Sequence, residues 1–301
     1  ISHSKTTIEE RLKRNLEEIT LIGGIPNFFG HQRFGTIRPI THLVGKALIQ
    51  GNFRKAAMVF LAKPGPYEKP SLKETRKQLW KTQNFQEALN NFPKRLHYER
   101  VMLKHLTKRP CDFIGALRRL PKKLLRLFVQ AYQSYLFNRI LSRRISMGLA
   151  LNRAEVGDYV ISIEASGLPV PKIYTIASQS TISDLNAMIA SGRKRVALPL
   201  IGFRQKFSQG IQEEIKRQIL EEEGISHENF KIKEMPEISL KGGIRSIIAP
   251  LNNFSLDEIS RDEVNTAKWK VKTSFMLHRG SYATVLLREI MKTRNPVKSG
   301  F

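Results

Sequence analysis

Gly23-Gly24-Ile25-Pro26-Asn27-Phe28-Phe29-Gly30-His31-Gln32-Arg33-Phe34-Gly35 holds four glycines, a proline and three phenylalanines in thirteen residues. Each glycine costs backbone entropy on folding, so a turn ordinarily carries one or two. Four of them, with bulky rings between, mark a loop held close to something flat. Rings beside the amide of Gln32 and the guanidinium of Arg33 suit a pocket for an unstacked base. Such a pocket needs stacking on one face and polar contacts to the base edge and phosphate. The same residues also fit a tight turn whose phenylalanines fill the core, since Phe is among the most buried residue types.

The rest of the chain narrows the partner. Its 301 residues allow one large domain or two, and 41% hydrophobic residues can build a core. Lys and Arg number 51 against 26 Asp and Glu, a formal net charge of +25. Such an excess self-repels in a compact state, so it points to a polyanionic partner, nucleic acid before an anionic membrane. No apolar run reaches 18 residues, which argues against a membrane. The single Cys111 excludes an internal disulfide and a cysteine-based zinc site and suits a reducing cytoplasm.

Periodicity divides the chain. Residues 6–20 read as an amphipathic helix with Ile8, Leu12, Leu16 and Ile19 on one face, capped by Thr7 with Glu10 as its capping-box partner. Ile1–Ser4 reads as the end of a strand. Further helices are expected over 39–50, 72–89, 113–120 and 122–145, the last both basic and aromatic. From residue 156 the pattern turns to short alternating strands (159–163, 172–176, 193–200, 269–277) and helices (183–190, 209–223, 283–292). Gly224 ends the helix at 223 as a C′ glycine. Without regular strand–helix–strand alternation, this order predicts an α+β fold with mostly antiparallel pairing.

Four stretches in order carry a resemblance. They are 25–30 with Gln32-Arg33-Phe34-Gly35, then 131–139 (Ala-Tyr-Gln-Ser-Tyr-Leu-Phe-Asn-Arg), then Gly157-Asp158, then 280–284 (Gly-Ser-Tyr-Ala-Thr) with Leu287-Arg288-Glu289. Together they resemble the tRNA pseudouridine synthase D (TruD) family, in its archaeal and eukaryotic-like branch. The resemblance implies a pseudouridine-synthase catalytic domain with a central antiparallel sheet, interrupted by an inserted mixed α/β TRUD domain. By motif matching, residues 1–51 and 249–301 belong to the catalytic domain and 52–248 to the insertion.

The activity implied is isomerisation of uridine to pseudouridine in tRNA, at uridine 13 of the D arm, without cofactor. The resemblance makes Phe29 the ring that stacks on the target base and Asn27 the residue that holds the loop. Gln32 and Arg33 are the polar pair, with Arg33 the phosphate or nucleophile partner because guanidinium binds an oxyanion bidentately. Asn138 and Asp158 match family positions as well, although an amide or carboxylate there also satisfies a turn or helix end. Ser281 reads as a helix cap. Arg143, Arg144, Arg193, Lys194 and Arg195 are the basic residues expected to meet tRNA.

The family's nucleophilic aspartate lies in a Gly-x-Lys-Asp-x-x-Ala-x-Thr-x-Gln motif upstream of the loop. No such motif occurs here, and the aspartates present are Asp112, Asp158, Asp184, Asp257 and Asp262. The catalytic residue is therefore expected upstream of this sequence. The alternative reading is a non-catalytic RNA-binding module or RNA chaperone with the same fold. The seven histidines show no metal-ligand spacing, and no phosphate-binding glycine loop of the nucleotide-cofactor type is present.

Overall fold

The structure, a computed structural model, describes residues 5–205 and 207–299. The strand end expected at Ile1–Ser4 lies outside the described residues. The first helix, α1 (Lys5–Leu21), already runs at Lys5, so Thr7 sits within its first turn and is not its cap. Its apolar stripe is used as the spacing predicts, with Leu12 and Ile19 buried. The glycine-rich loop then opens on β1 (Ile25–Pro26).

A helical run follows: α2 (Thr41–Ile49), α3 (Phe53–Ala62), α4 (Pro70–Thr82), α5 (Phe85–Asn91), α6 (His97–Lys108), α7 (Phe113–Leu117) and α8 (Lys122–Ser146). The single helix expected over 72–89 is two. Gln83 takes a left-handed conformation (φ 51°) that ends α4, and the Asn84 side chain accepts from Glu87 N at 3.0 Å to start α5. Helices α2 and α8 approach closely because Gly45 has no side chain. A Cβ there would lie 2.0 Å from the Phe128 carbonyl oxygen.

The C-terminal half contains β2 (Tyr159–Ile163), β3 (Pro169–Ile176), α9 (Ile182–Ala190), β4 (Lys194–Leu200), α10 (Ile211–Glu223), β5 (Gly243–Ser246), β6 (Ile248–Ala249), β7 (Asn252–Arg261), β8 (Trp269–Met276) and α11 (Ala283–Met291). Every described pairing is antiparallel, as the α+β reading requires. Four strands form one sheet in the order β3-β2-β4-β5, and β7 and β8 form a separate ribbon. Gly224 caps α10 in the left-handed region (φ 64°), as expected. The N-cap of α11 is Tyr282 with no side-chain bond, so Ser281 does not cap it.

Two cores result. The larger gathers buried side chains from Ile40 to Ile248, including those of α2, α3, α8 and α10. The smaller joins Leu12 and Ile19 of α1 to Ile25, Ala249 and Val285, Leu286 and Ile290 of α11. The glycine-rich loop runs between the two, and Phe28 packs against both.

Candidate functional site

The loop is fixed residue by residue. Ile25 and Pro26 pair with Ala249 and Ile248, and the Asn27 amide N–H donates to the Ile247 carbonyl at 2.8 Å. The buried Asn27 side chain donates through Nδ2 to the Ser246 carbonyl (2.9 Å) and accepts at Oδ1 from Arg245 Nη2 (2.5 Å). Asn138, on α8, then grips the Phe29 main chain from both sides. It accepts from Phe29 N at 2.8 Å and donates to Phe29 O at 2.9 Å. Gly30 allows the next turn, since a Cβ there would fall 2.7 Å from both the Gln32 Oε1 and a Tyr282 ring carbon. Gln32 Oε1 in turn accepts from Thr284 Oγ1 at 3.0 Å.

These clamps present the Phe29 ring to two guanidinium groups. Arg245 lies 4.1 Å from the ring centroid and Arg33 5.9 Å, with Phe137 and Tyr282 rings at 5.5 and 6.2 Å. Arg245 donates only to neutral oxygens: Asn27 Oδ1, Asn27 O (3.2 Å) and Gly280 O (2.9 Å). Arg33 donates through Nε to Ser134 Oγ at 3.2 Å. Among the described residues, neither forms an ion pair with a carboxylate. Burial, opposed by Tyr282 and aided by the Arg33 charge, brings the Arg245 guanidinium down to about 10. Arg33 is lowered chiefly by burial. Both remain cationic at neutral pH. Two half-buried like charges without counter-charge leave a site that favours an anion.

A cavity of about 380 Å³ adjoins the ring, lined among others by Phe29, Tyr135, Asn138, Arg139, Thr284 and Arg288. Its α8 wall is held by one carboxylate. Glu223, at the end of α10, accepts from Lys46 Nζ (2.6 Å), Tyr132 OH (2.9 Å), Tyr135 OH (3.2 Å) and Arg139 Nη1 (2.5 Å). Burial acts to raise the Glu223 carboxyl, but the Lys46, Tyr132 and Arg139 donors together hold it below its ordinary value. His42 stacks on Tyr135 at 5.1 Å, and burial pushes its imidazole down to about 4.

Asn27, Phe29, Gln32 and Arg33 thus share one loop, and Phe29 and Arg33 face Arg245. Sequence reading did not select Arg245. It stands on β5, and nothing in its local pattern separates it from the chain's other arginines. The basic residues expected to meet tRNA are scattered. Arg143 pairs with Glu222 at 2.9 Å. Arg193 donates to Ser191 Oγ at 3.0 Å, Lys194 to Ser162 Oγ at 3.2 Å and Arg195 to the Gly167 carbonyl at 3.0 Å.

Arg144 is a correction. It has 0% side-chain exposure and forms a bidentate pair with Asp158, Nη1 to Oδ1 and Nη2 to Oδ2, both 2.8 Å. Gln212 and the Ala150 carbonyl take its remaining donors. It cannot reach a phosphate, and Asp158, equally buried, cannot reach a substrate. The other aspartates are also engaged away from Phe29. Asp112 caps Gly115 and binds His105, Asp257 accepts from Ser255 and Ser274, and Asp262 accepts from Val264 and Asn265. Asp184 is exposed on α9.

The chain matches known proteins along nearly its whole length. The family model of tRNA pseudouridine synthase D (TruD) matches residues 1–290. A Methanosarcina mazei protein named "Probable tRNA pseudouridine synthase D" is 43% identical over 298 residues, covering 99% of this chain and 67% of that protein. A protein of the same name from Methanopyrus kandleri is 40% identical over 284 residues, covering 93% of this chain and 61% of its own length. A crystal structure from Methanosarcina mazei, of a protein assigned as TruD, superposes with a TM-score of 0.93 at 43% identity, over 99% of this chain and 68% of that one. The chain therefore spans about two thirds of the length of these relatives.

Proposed function

We propose, from the premise that this chain belongs to the tRNA pseudouridine synthase D family, that it holds the target uridine of a tRNA for isomerisation to pseudouridine, at position 13 of the D arm. The observation that carries this reading is the Phe29 ring beside Arg245 and Arg33, two cations with no carboxylate partner among the described residues. In this reading the flipped uracil stacks on the part of Phe29 that Arg245 leaves open. Asn27 and Asn138 keep the ring in place, Gln32 braces the loop on Thr284, and the two arginines hold an anion at the reacting centre.

That anion is an aspartate nucleophile supplied from outside these 301 residues, because all five aspartates here are exposed elsewhere or committed to other contacts. The carboxylate attacks the ribose C1′ and bonds to it as the carbon–nitrogen glycosidic bond breaks, and the freed uracil turns against Phe29. A ring carbon then bonds to C1′ as the carboxylate–C1′ bond breaks and the carboxylate leaves, and that carbon loses a proton while the freed nitrogen gains one. Atoms and charge balance without a co-substrate. Arg245 and Arg33 favour the ionised carboxylate before attack and when it is released. The reading keeps the catalytic domain at about 1–51 and 249–301 with an insertion at about 52–248, and a cytoplasmic setting. Arg143, Arg193, Lys194 and Arg195 serve as outer contacts to tRNA.

The test maps pseudouridine in tRNA after incubation with the full-length gene product and with residues 1–301 alone. The expected result is conversion by the first, with no added metal or nucleotide, and tRNA binding without conversion by the second. Conversion by residues 1–301 would make one of their own aspartates the nucleophile. Binding without conversion by the full-length protein would favour the non-catalytic RNA-binding reading.

A further inference from the structure

A second cavity, of about 180 Å³, lies on β4 and β5 beside the turn that precedes α11. Its cationic lining is Arg195, Arg245 and Arg279, with the His278 ring beside them, and no Asp or Glu lines it. Three separate parts of the chain close it. Arg195 holds the turn between β2 and β3 through the Gly167 carbonyl, and that turn abuts His278, since a Cβ on Gly167 would lie 2.8 Å from its Nε2. Arg245 ties the far side through the Gly280 carbonyl. Arg245 thus commits its Nε and Nη2, and Arg195 only its Nη1, to neutral oxygens while half-buried. Arg279 is exposed at the rim, without a hydrogen-bond or ion-pair partner among the described residues. Confining the Arg195 and Arg245 guanidinium groups with no acid in the lining is unfavourable unless an anion enters.

Arg245 borders both sites, but neither Phe29 nor Arg33 lines this cavity, so an anion held here by Arg195 and Arg279 is distinct from the one paired over the ring. A base reaching Phe29 brings its own backbone along the same face. We propose that this cavity is a subsite for one backbone phosphate of the RNA near the target nucleotide, gripped by Arg279 and Arg195. Guanidinium forks suit a phosphate oxygen pair, and His278 and Ser281 can contribute further donors. This assignment rests on the RNA-modifying reading above but concerns binding, which is measured independently of uridine conversion.

The test uses the full-length protein and a set of tRNAs, each with one neutral methylphosphonate at a position around the target uridine. Wild-type affinity should fall about tenfold at one position, and Arg279→Gln should lower affinity for unmodified tRNA similarly. The two changes together should do no more than either alone, because they remove the same contact. The slope of log affinity against log salt should drop by about one in Arg279→Gln and return in Arg279→Lys. Losses that multiply, or an unchanged slope, would overturn the proposal. So would displacement of tRNA by micromolar inorganic phosphate from wild type but not from Arg279→Gln, since the cavity would then be a free-anion site. A protein that shows the expected binding pattern yet converts no uridine would overturn the catalytic reading alone.

Discussion

The guanidinium of Arg245 rests 4.1 Å from the centre of the Phe29 ring, while its Nη2 and Nε hold Asn27 two residues earlier in the same loop. One arginine therefore both shapes the loop and covers part of the ring that the loop presents. A base stacking on Phe29 meets a surface already polarised by a cation.

Replacing Phe29 with Ala should remove roughly 1–3 kcal/mol of base stacking. Arg245→Gln should keep some of the hydrogen bonds to Asn27 but remove the charge. Both variants of the full-length protein should slow single-turnover pseudouridine formation by tenfold or so at the least, with global stability little changed for Phe29→Ala because the ring is only half-buried. Wild-type rates from Phe29→Ala would remove the ring from the mechanism.

Asp158→Asn should act on stability and not on chemistry. It leaves Arg144, which has 0% exposure, as an uncompensated buried cation, and breaking such a pair costs about 3–5 kcal/mol. Denaturant unfolding reads the loss. The conversion rate per folded molecule should match wild type, and a rate collapse with intact stability would return Asp158 to the list of nucleophiles.

Glu223→Gln should loosen the cavity wall. The carboxylate gathers Lys46, Tyr132, Tyr135 and Arg139, and hydrogen bonds to a charged group are worth about 1.5–3 kcal/mol each. The unfolding free energy should fall by an amount of that order, and KM for tRNA should rise. Combining Glu223→Gln with Arg139→Gln should cost less than the sum of the two single changes, because they share one contact. Strict additivity would show that Glu223 does not act through Arg139.

Acid should destabilise the protein through His42 before it reaches the carboxylates. The imidazole sits between Phe34 and Tyr135 with its Nδ1 buried and unpartnered, and of the charges facing it Glu223 opposes the burial effect while Lys63 reinforces it. Its folded value is about 4 against 6.5 unfolded, so the unfolded chain binds the proton first. The His42 contribution is complete above pH 6.5 and is lost as pH falls towards 4. Glu223, whose folded value is depressed, adds a further loss below about 4.5. Unfolding free energies measured between pH 7 and 4 should decline in wild type and run flatter in His42→Phe.

Elements whose signal is local were legible in the residues. The apolar stripe of α1, the glycine that ends α10 and the alternation of β2 and β8 each depend on neighbours a few positions apart. The strand β7 was not legible. Its ten residues, Asn252–Arg261, are mostly exposed and carry charges, and they are extended because β8 pairs with them. Thr7 and Ser281 look like caps in isolation, but where a helix starts depends on what the preceding backbone is bonded to.

By itself, then, the amino-acid sequence determined the α+β class, the order of its motifs, the basic excess and the ring-and-guanidinium loop. Only the tertiary structure decided which charges are surface and which are framework. It buried Arg144 against Asp158, left Arg33 without an acid and brought Arg245 over Phe29. The reason is physical: formal charge is written in the residue, whereas its desolvation and its partner depend on contacts between segments far apart in the chain.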